Sequence, residues 1–337
     1  MMRTRIFMRR RSSLRVLRRS LPVFILAVVT LALVTLPLYS DTAASSFSVN
    51  NAFQNAASLG LLALGVGLTM IIGEFDLSTL GVYAFSGMMA VQLGTEWPIG
   101  GLLLAVSIAG VFGAAQGYLI ARTGISSVPL TLAGYIIMLG ASHLVSDSAT
   151  LIYSNYDVGI WLDNVVGWVF SVRILIVVAL FVLVASIMKW TRLGREIRAV
   201  GGDRRASRAS GVQVDRIIVG VFIASACLSA IGGALFAYSS SAAKPDLGLA
   251  PFIFAVTAVL LGGVSLAGGR GGSLGILVGV VSLSLLETLF SLQGTPVYVV
   301  NLIRGALLML VVVIEAPDLR RALIAMRSRA ASSTMQH

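Results

Sequence analysis

Ten apolar runs, separated by short polar or glycine-rich interruptions, organise the chain. They cover residues 21–39, 51–72, 77–95, 98–121, 127–146, 165–188, 215–239, 250–265, 272–292 and 296–315. A bilayer core takes about 20 apolar residues per helix, so each run is a candidate span. The eighth is short and reads equally as a half-helix; with two short segments re-entrant, eight full spans is the alternative. The pattern predicts an all-α polytopic membrane protein of about ten transmembrane helices. A transmembrane domain over 21–315 lies between a basic tail at 1–20 and a second tail at 316–337.

Two halves of the pattern are weakly similar. Residues 60–94 read as an apolar run, a break at GEFDLS, then a second apolar helix. Residues 252–290 read the same way around GGVSLAGGRGG. Interrupted hydrophobic segments at matching places point to a transport pathway.

Composition supports the membrane reading. The 337 residues are 57% hydrophobic and 12% charged, where a soluble domain carries about 25% charged residues. Thirty-five glycines are scattered through the apolar runs, as suits closely packed membrane helices. The net charge of +11 does not imply nucleic acid, because the cations are sorted by loop. Eight arginines precede Ser20, eight cations lie from Lys189 to Arg216, and four follow Asp318. With the N-terminus inside, Arg122, the 189–214 loop, Arg270 and the C-terminal tail all fall on the cytoplasmic side. The loops then outside hold Asp41, Glu96, Asp147, Asp157, Asp163 and Asp246, with Lys244 as their cation. The positive-inside rule therefore predicts that both termini are cytoplasmic. Arg173, at the outer start of the sixth run, is expected to snorkel to the surface. The arginine-rich start reads as an uncleaved tail leading into the first span, with cleavage near Ala43–Ala44 as the alternative.

Enzyme chemistry finds no foothold. There is no G-x-x-x-x-G-K-[ST] loop for ATP, and the glycines at 268–272 lack a surrounding βαβ unit. Cys227, the sole cysteine, reads as a small packing residue. His143 reads as packed or interfacial, with no ligand cluster at metal-binding spacing. Three acids within the apolar region stand out instead. An ionised side chain at the bilayer centre costs about 2.5–3.5 kcal/mol, so such groups face protein or the interface. Glu74 and Asp76 form either a solvated turn, with Asp76 capping the next helix, or part of a polar pathway with Ser78. Glu287 either faces that pathway or reaches the outer headgroups. The 189–216 stretch sets eight cations against Glu196, Asp203 and Asp215. It reads as a topogenic loop held at anionic lipid that also carries structure. Asp203 can cap a short helix from Arg204, which Gly211 would end. A cytoplasmic helix of this kind is a docking element.

Three motifs carry a resemblance. GREIRAVGGDRRASRASGV at 194–212 resembles the coupling loop of permease subunits of ribose-type ATP-binding-cassette importers, G-R-x-x-x-A-x-G-G-N followed by alanines and S-G-[IV]. Gly194, Arg195, Ala199, Gly201, Gly202, Ala206, Ser210 and Gly211 match it, and Asp203 stands where Asn is usual. GEFDLS at 73–78 resembles G-G-I-D-L-S, and VLLGGVSLAGGRGGSLG at 259–275 resembles V-L-G-G-[TV]-S-L-x-G-G-x-G. The likeness runs from about residue 50 to 315. Departures fall beside the presumed pathway: Glu74 for glycine, Ser126 and Ser127 where proline is common, and Glu287 and Ser291 where asparagines are frequent. The resemblance implies a bacterial inner-membrane permease without a cofactor of its own. It implies a second permease copy or homologue, a cytoplasmic ATPase that binds ATP and docks on 194–211, and an extracytoplasmic sugar-binding protein. The translocation pathway or gate is expected at Glu74, Asp76, Ser78 and Glu287. An ion-gradient-driven secondary transporter using Glu74, Asp76 and Glu287 is the rival reading, and a membrane enzyme or assembly factor the third.

Overall fold

A computed structural model describes residues 46–315. The first apolar run, both tails and the Ala43–Ala44 site lie outside the described residues. The described residues are mostly helical: α1 (Ser46–Ile71), α2 (Ser78–Leu93), α3 (Pro98–Thr123) and α4 (Ser127–Ser146) come first. Then follow β1 (Leu151–Ile152), α5 (Tyr156–Asp163), β2 (Val165–Gly167), β3 (Phe170–Ser171) and α6 (Val172–Trp190). Next are α7 (Arg192–Gly202), α8 (Arg204–Ala209), α9 (Val214–Ser239), β4 (Ala242–Ala243), α10 (Ala250–Leu261), α11 (Ser273–Leu292) and α12 (Val297–Glu315).

Among the described residues, six helices are long and apolar enough to cross a membrane: α1, α3, α4, α6, α9 and α11. The segment α10 has 12 residues, confirming its brevity, and α2 has 16. The sixth run is corrected. Its first residues, 165–171, form the β2–β3 hairpin rather than helix. Trp168 turns that hairpin at φ 46°, and the Ser171 hydroxyl caps α6 by accepting from the Ile174 amide.

Helices α1, α2 and α9 form the centre. Nearly every side chain of α2 from Ser78 to Val91 is buried, as expected of a helix that is apolar all round. Glycine lets α9 reach it: a methyl group on Gly233 would stand 2.0 Å from the Tyr83 carbonyl oxygen. Helices α3, α4 and α6 wrap the outside with exposed apolar rows, including Leu103, Leu104 and Val111 on α3 and Leu132, Ile136 and Ile137 on α4.

The loops sort onto two faces. On one, Glu96 and the acid-bearing 147–163 and 239–249 segments meet. Strand β1 pairs with β4 in antiparallel register, Leu151 opposite Ala243. Tyr153 donates to the Gly94 carbonyl and Tyr238 to that of Pro98. Here Arg173 does not snorkel. It is 4% exposed, paired with Asp163 at 3.0 Å, and donates to Gln54 and Ser58. The Asp163 partner sits in the adjoining short helix α5, which keeps the guanidinium inside. The other face carries Arg122, the 189–214 cations and Arg270, and is called the basic face below.

Candidate functional site

The basic face gathers all three motifs around one cavity of about 530 Å³, whose lining includes Glu74, Ser127, Gly201, Asp203, Arg204 and Ala267. Each contributing segment is built by local chemistry. Helix α1 ends in a Schellman motif: Gly73 adopts φ 80°, its amide bonds the Met70 carbonyl, and the Glu74 amide bonds that of Thr69. Helix α10 ends identically, with Gly263 at φ 82°, its amide on Leu260 and the Val264 amide on Val259. The two interrupted segments thus share a helix terminus as well as a sequence pattern.

Beyond Glu74 the first break finds side-chain acceptors for its amides. The Phe75 amide donates to the Ser127 hydroxyl and the Leu77 amide to that of Thr131. Asp76, 1% exposed, takes the Ser78 amide at 2.9 Å and the Ser78 hydroxyl at 2.6 Å. It bonds the first residue of α2 from the turn before it, while the N-cap position itself is Leu77 and carries no side-chain cap. Its burial departs from the solvated turn of the capping alternative. The Ser78 hydroxyl also lies 2.8 Å from the Gln116 side-chain oxygen. Asp76 and Ser78 are therefore one buried polar unit at the root of α2. Buried hydroxyls continue from it: Ser225 on α9 faces Asp76, and among the described residues Ser86 on α2 and Ser229 on α9 have no hydrogen-bond partner.

The 189–214 loop folds into two helices, not one. The Thr191 hydroxyl caps α7 by accepting from the Gly194 amide. The Asp203 carboxylate caps α8 by accepting from the Arg205 and Ala206 amides at 2.8 and 3.0 Å. Gly211, at φ 81°, follows where the helix ends. Glycines seat this pair on the breaks. A methyl group on Gly201 would stand 1.9 Å from the Ile71 carbonyl oxygen and 2.6 Å from the Gly269 nitrogen. The Gly269 amide itself donates to that Ile71 carbonyl at 2.8 Å, so the two breaks are bonded to each other beneath α7. Gly194 is pressed against the Met188 backbone. The remaining loop positions, Arg195, Ala199, Gly202, Asp203, Ala206 and Gly211, are exposed.

The expected pathway acids separate. Glu74 turns to the loop, where its carboxylate pairs with the Arg204 guanidinium, which also donates to the Ile72 carbonyl. Glu287 lies elsewhere, on α11, paired with Arg304 of α12, whose guanidinium stands 5.9 Å from the Phe254 ring centre. Sequence reading missed Arg304 and Arg204 as partners. The signal for Arg304 was present: an acid in an apolar helix calls for a cation in a neighbouring one. Cys227 packs beside Gly110, and His143 meets Ser148. Among the described residues no group of three or more His, Cys, Asp or Glu can hold a metal.

Comparison with known proteins follows the same span. The family described as branched-chain amino acid transport system / permease component matches residues 48–312. The L-arabinose ABC transporter permease protein AraH of Azospirillum brasilense is 30% identical over 272 residues, 76% of each chain. The ribose import permease protein RbsC of Escherichia coli is 27% identical over 293 residues, 84% of this chain and 91% of its own. The inner membrane ABC transporter permease protein YjfF of the same organism is 28% identical over 260 residues, 75% of this chain and 78% of its own. No solved structure matches.

Proposed function

Because the chain belongs to the branched-chain amino acid transport system / permease component family, we propose how this member works. It is the membrane-spanning permease subunit of an ATP-binding-cassette importer in the bacterial inner membrane, and it forms the path for a monosaccharide or related small polar solute. It does no covalent chemistry itself; a partner chain binds and hydrolyses ATP.

The finer reading adds orientation and partners. The basic face is cytoplasmic, ten spans place both termini on that side, and 1–20 and 316–337 are cytoplasmic tails flanking the 21–315 domain. Helices α7 and α8 are the dock for the ATPase. The observation that carries this is their two-sidedness. Gly194 and Gly201 hold them down, while Arg195, Ala199, Gly202, Asp203, Ala206 and Gly211 face outward. A push on that outward side reaches both breaks at once through Gly201. Asp76 and Ser78 stand one step further in, at the root of the central helix, and gate the path. A second permease copy or homologue completes the pathway, and a sugar-binding protein delivers the solute to the opposite face. The ion-gradient rival loses two of its three carriers, because Glu74 and Glu287 are each paired with an arginine, leaving Asp76 alone among them.

The test is uptake into vesicles with and without the partner ATPase. Gly201→Arg and Asp203→Arg are expected to abolish ATP-dependent uptake while the permease remains inserted at normal levels. Uptake that persists in vesicles lacking any ATPase would overturn the importer reading.

A further inference from the structure

A second cavity on the basic face lies away from the three motifs, at the seam of α3 and α9. The helices touch closely there: methyl groups on Gly113 and Gly117 would stand 2.6 Å from the Phe222 oxygen and 2.8 Å from the Val219 Cα. Past these glycines the seam opens into a cavity of about 660 Å³. Three arginines line it, Arg122, Arg208 and Arg216, against the single acid Asp215. Arg208 already holds that acid at 2.7 Å. Arg122 lies 5.8 Å over the Tyr118 ring, an arrangement that leaves its N–H groups free to donate. Arg216 makes no ion pair among the described residues. The rest of the lining is largely apolar and includes Tyr118, Val219 and Ile223. Tyr118 is exposed and continues the outward apolar row of α3 with Val111 and Leu119.

We propose that this cavity binds an anionic phospholipid. Its phosphate sits on Arg122 and Arg216, and an acyl chain runs along Tyr118, Val219 and Ile223. Two cations surplus to the local acid select negative charge. The apolar wall, continuous with the membrane-facing side of α3, selects a ligand with a tail. Basic pockets between spans bind anionic headgroups in this way, each nearby cation contributing about 1 kcal/mol. The bound lipid would brace the α8–α9 joint, so the membrane's charge would set how firmly the docking helices are held.

The experiment is native mass spectrometry of the full-length permease, extracted from bilayers that mix phosphatidylglycerol with phosphatidylcholine. Wild type is expected to retain phosphatidylglycerol in preference to phosphatidylcholine. Arg122→Gln with Arg216→Gln should weaken retention by about thirtyfold, the effect of two such cations, and the double Lys variant should restore most of it. Lys189→Gln, which removes a cation outside the cavity, should change little. Equal retention of both lipids overturns the proposal, as does an equal loss in Lys189→Gln, or inorganic phosphate binding as tightly as the lipid. If the double Gln variant keeps its lipid but no longer co-purifies with the ATPase, the surface belongs to that partner and the lipid site is refuted.

Discussion

The two breaks begin alike and then diverge. Both follow a Schellman turn on glycine, Gly73 in one and Gly263 in the other. The first re-enters helix at Ser78 and the second only at Ser273. In the short break, side chains do the holding: Ser127, Thr131 and Asp76 take its amides. In the long one, backbone does most of it, beside the Ser265 hydroxyl that takes the Ala267 amide. The Ser265 amide bonds the Arg270 carbonyl, that of Gly268 bonds Ser265, and that of Gly269 crosses to Ile71. Polar side chains suit a turn that must root a buried helix. Bare glycine backbone suits a surface that another segment slides against or sits upon.

That contrast is open to attack at several points. The largest effect is expected in the glycine break. A methyl group on Gly268, at φ 77°, would stand 2.7 Å from the Gly201 oxygen and 2.8 Å from the Gly73 Cα. Gly268→Ala should therefore cost about 1–3 kcal/mol of stability, as overpacking does, and should uncouple ATP hydrolysis from uptake. Thermal unfolding together with coupled uptake measures both, and a wild-type result would show that the seam is looser than its contacts. Next comes the side-chain break. Asp76→Ala removes the buried acceptor of the Ser78 amide and hydroxyl and should cost about 1–2 kcal/mol with a matching fall in uptake. Asp76→Asn keeps an acceptor oxygen and should lie between, so equality of Ala and wild type would leave α2 rooted by something else. The smallest effect belongs to Glu74→Gly. Its carboxylate is buried, but its Arg204 partner is 39% exposed on the side chain. Removing the acid leaves a cation that water reaches, so the loss is expected at the upper end of a surface pair, about 1 kcal/mol. Uptake should stay near wild type, with the residual difference shrinking as salt is raised.

Legibility in the sequence followed the same division. The run 127–146 matches α4 residue for residue, because polar residues bound a long apolar stretch on both sides. The 165–171 hairpin was hidden, since Val165, Val166, Val169 and Phe170 are as apolar in a strand as in a helix. Only Gly167 and the Ser171 cap marked the true start. The α8 helix was readable from Asp203 and Gly211, which act locally. Helix α7 was missed, although Thr191 and the Leu193, Ile197, Val200 stripe announce it. The pairing of Glu74 with Arg204 joins positions 130 apart, and no local rule reaches that far.

The shortness of α10 has a consequence for the barrier itself. Twelve residues rise about 18 Å, against a hydrocarbon core about 30 Å thick. If this segment is to cross, the remainder of the width would fall to the glycine backbone of 262–272. Irregular backbone at such depth is tolerated only where it is enclosed by protein or wetted. The open cavity beside Leu266 and Ala267 is large enough to hold water. A low-dielectric layer bounded by so short a helix would be thin there, and a polar solute passing beside it would have less hydrocarbon to cross than the bilayer's full width.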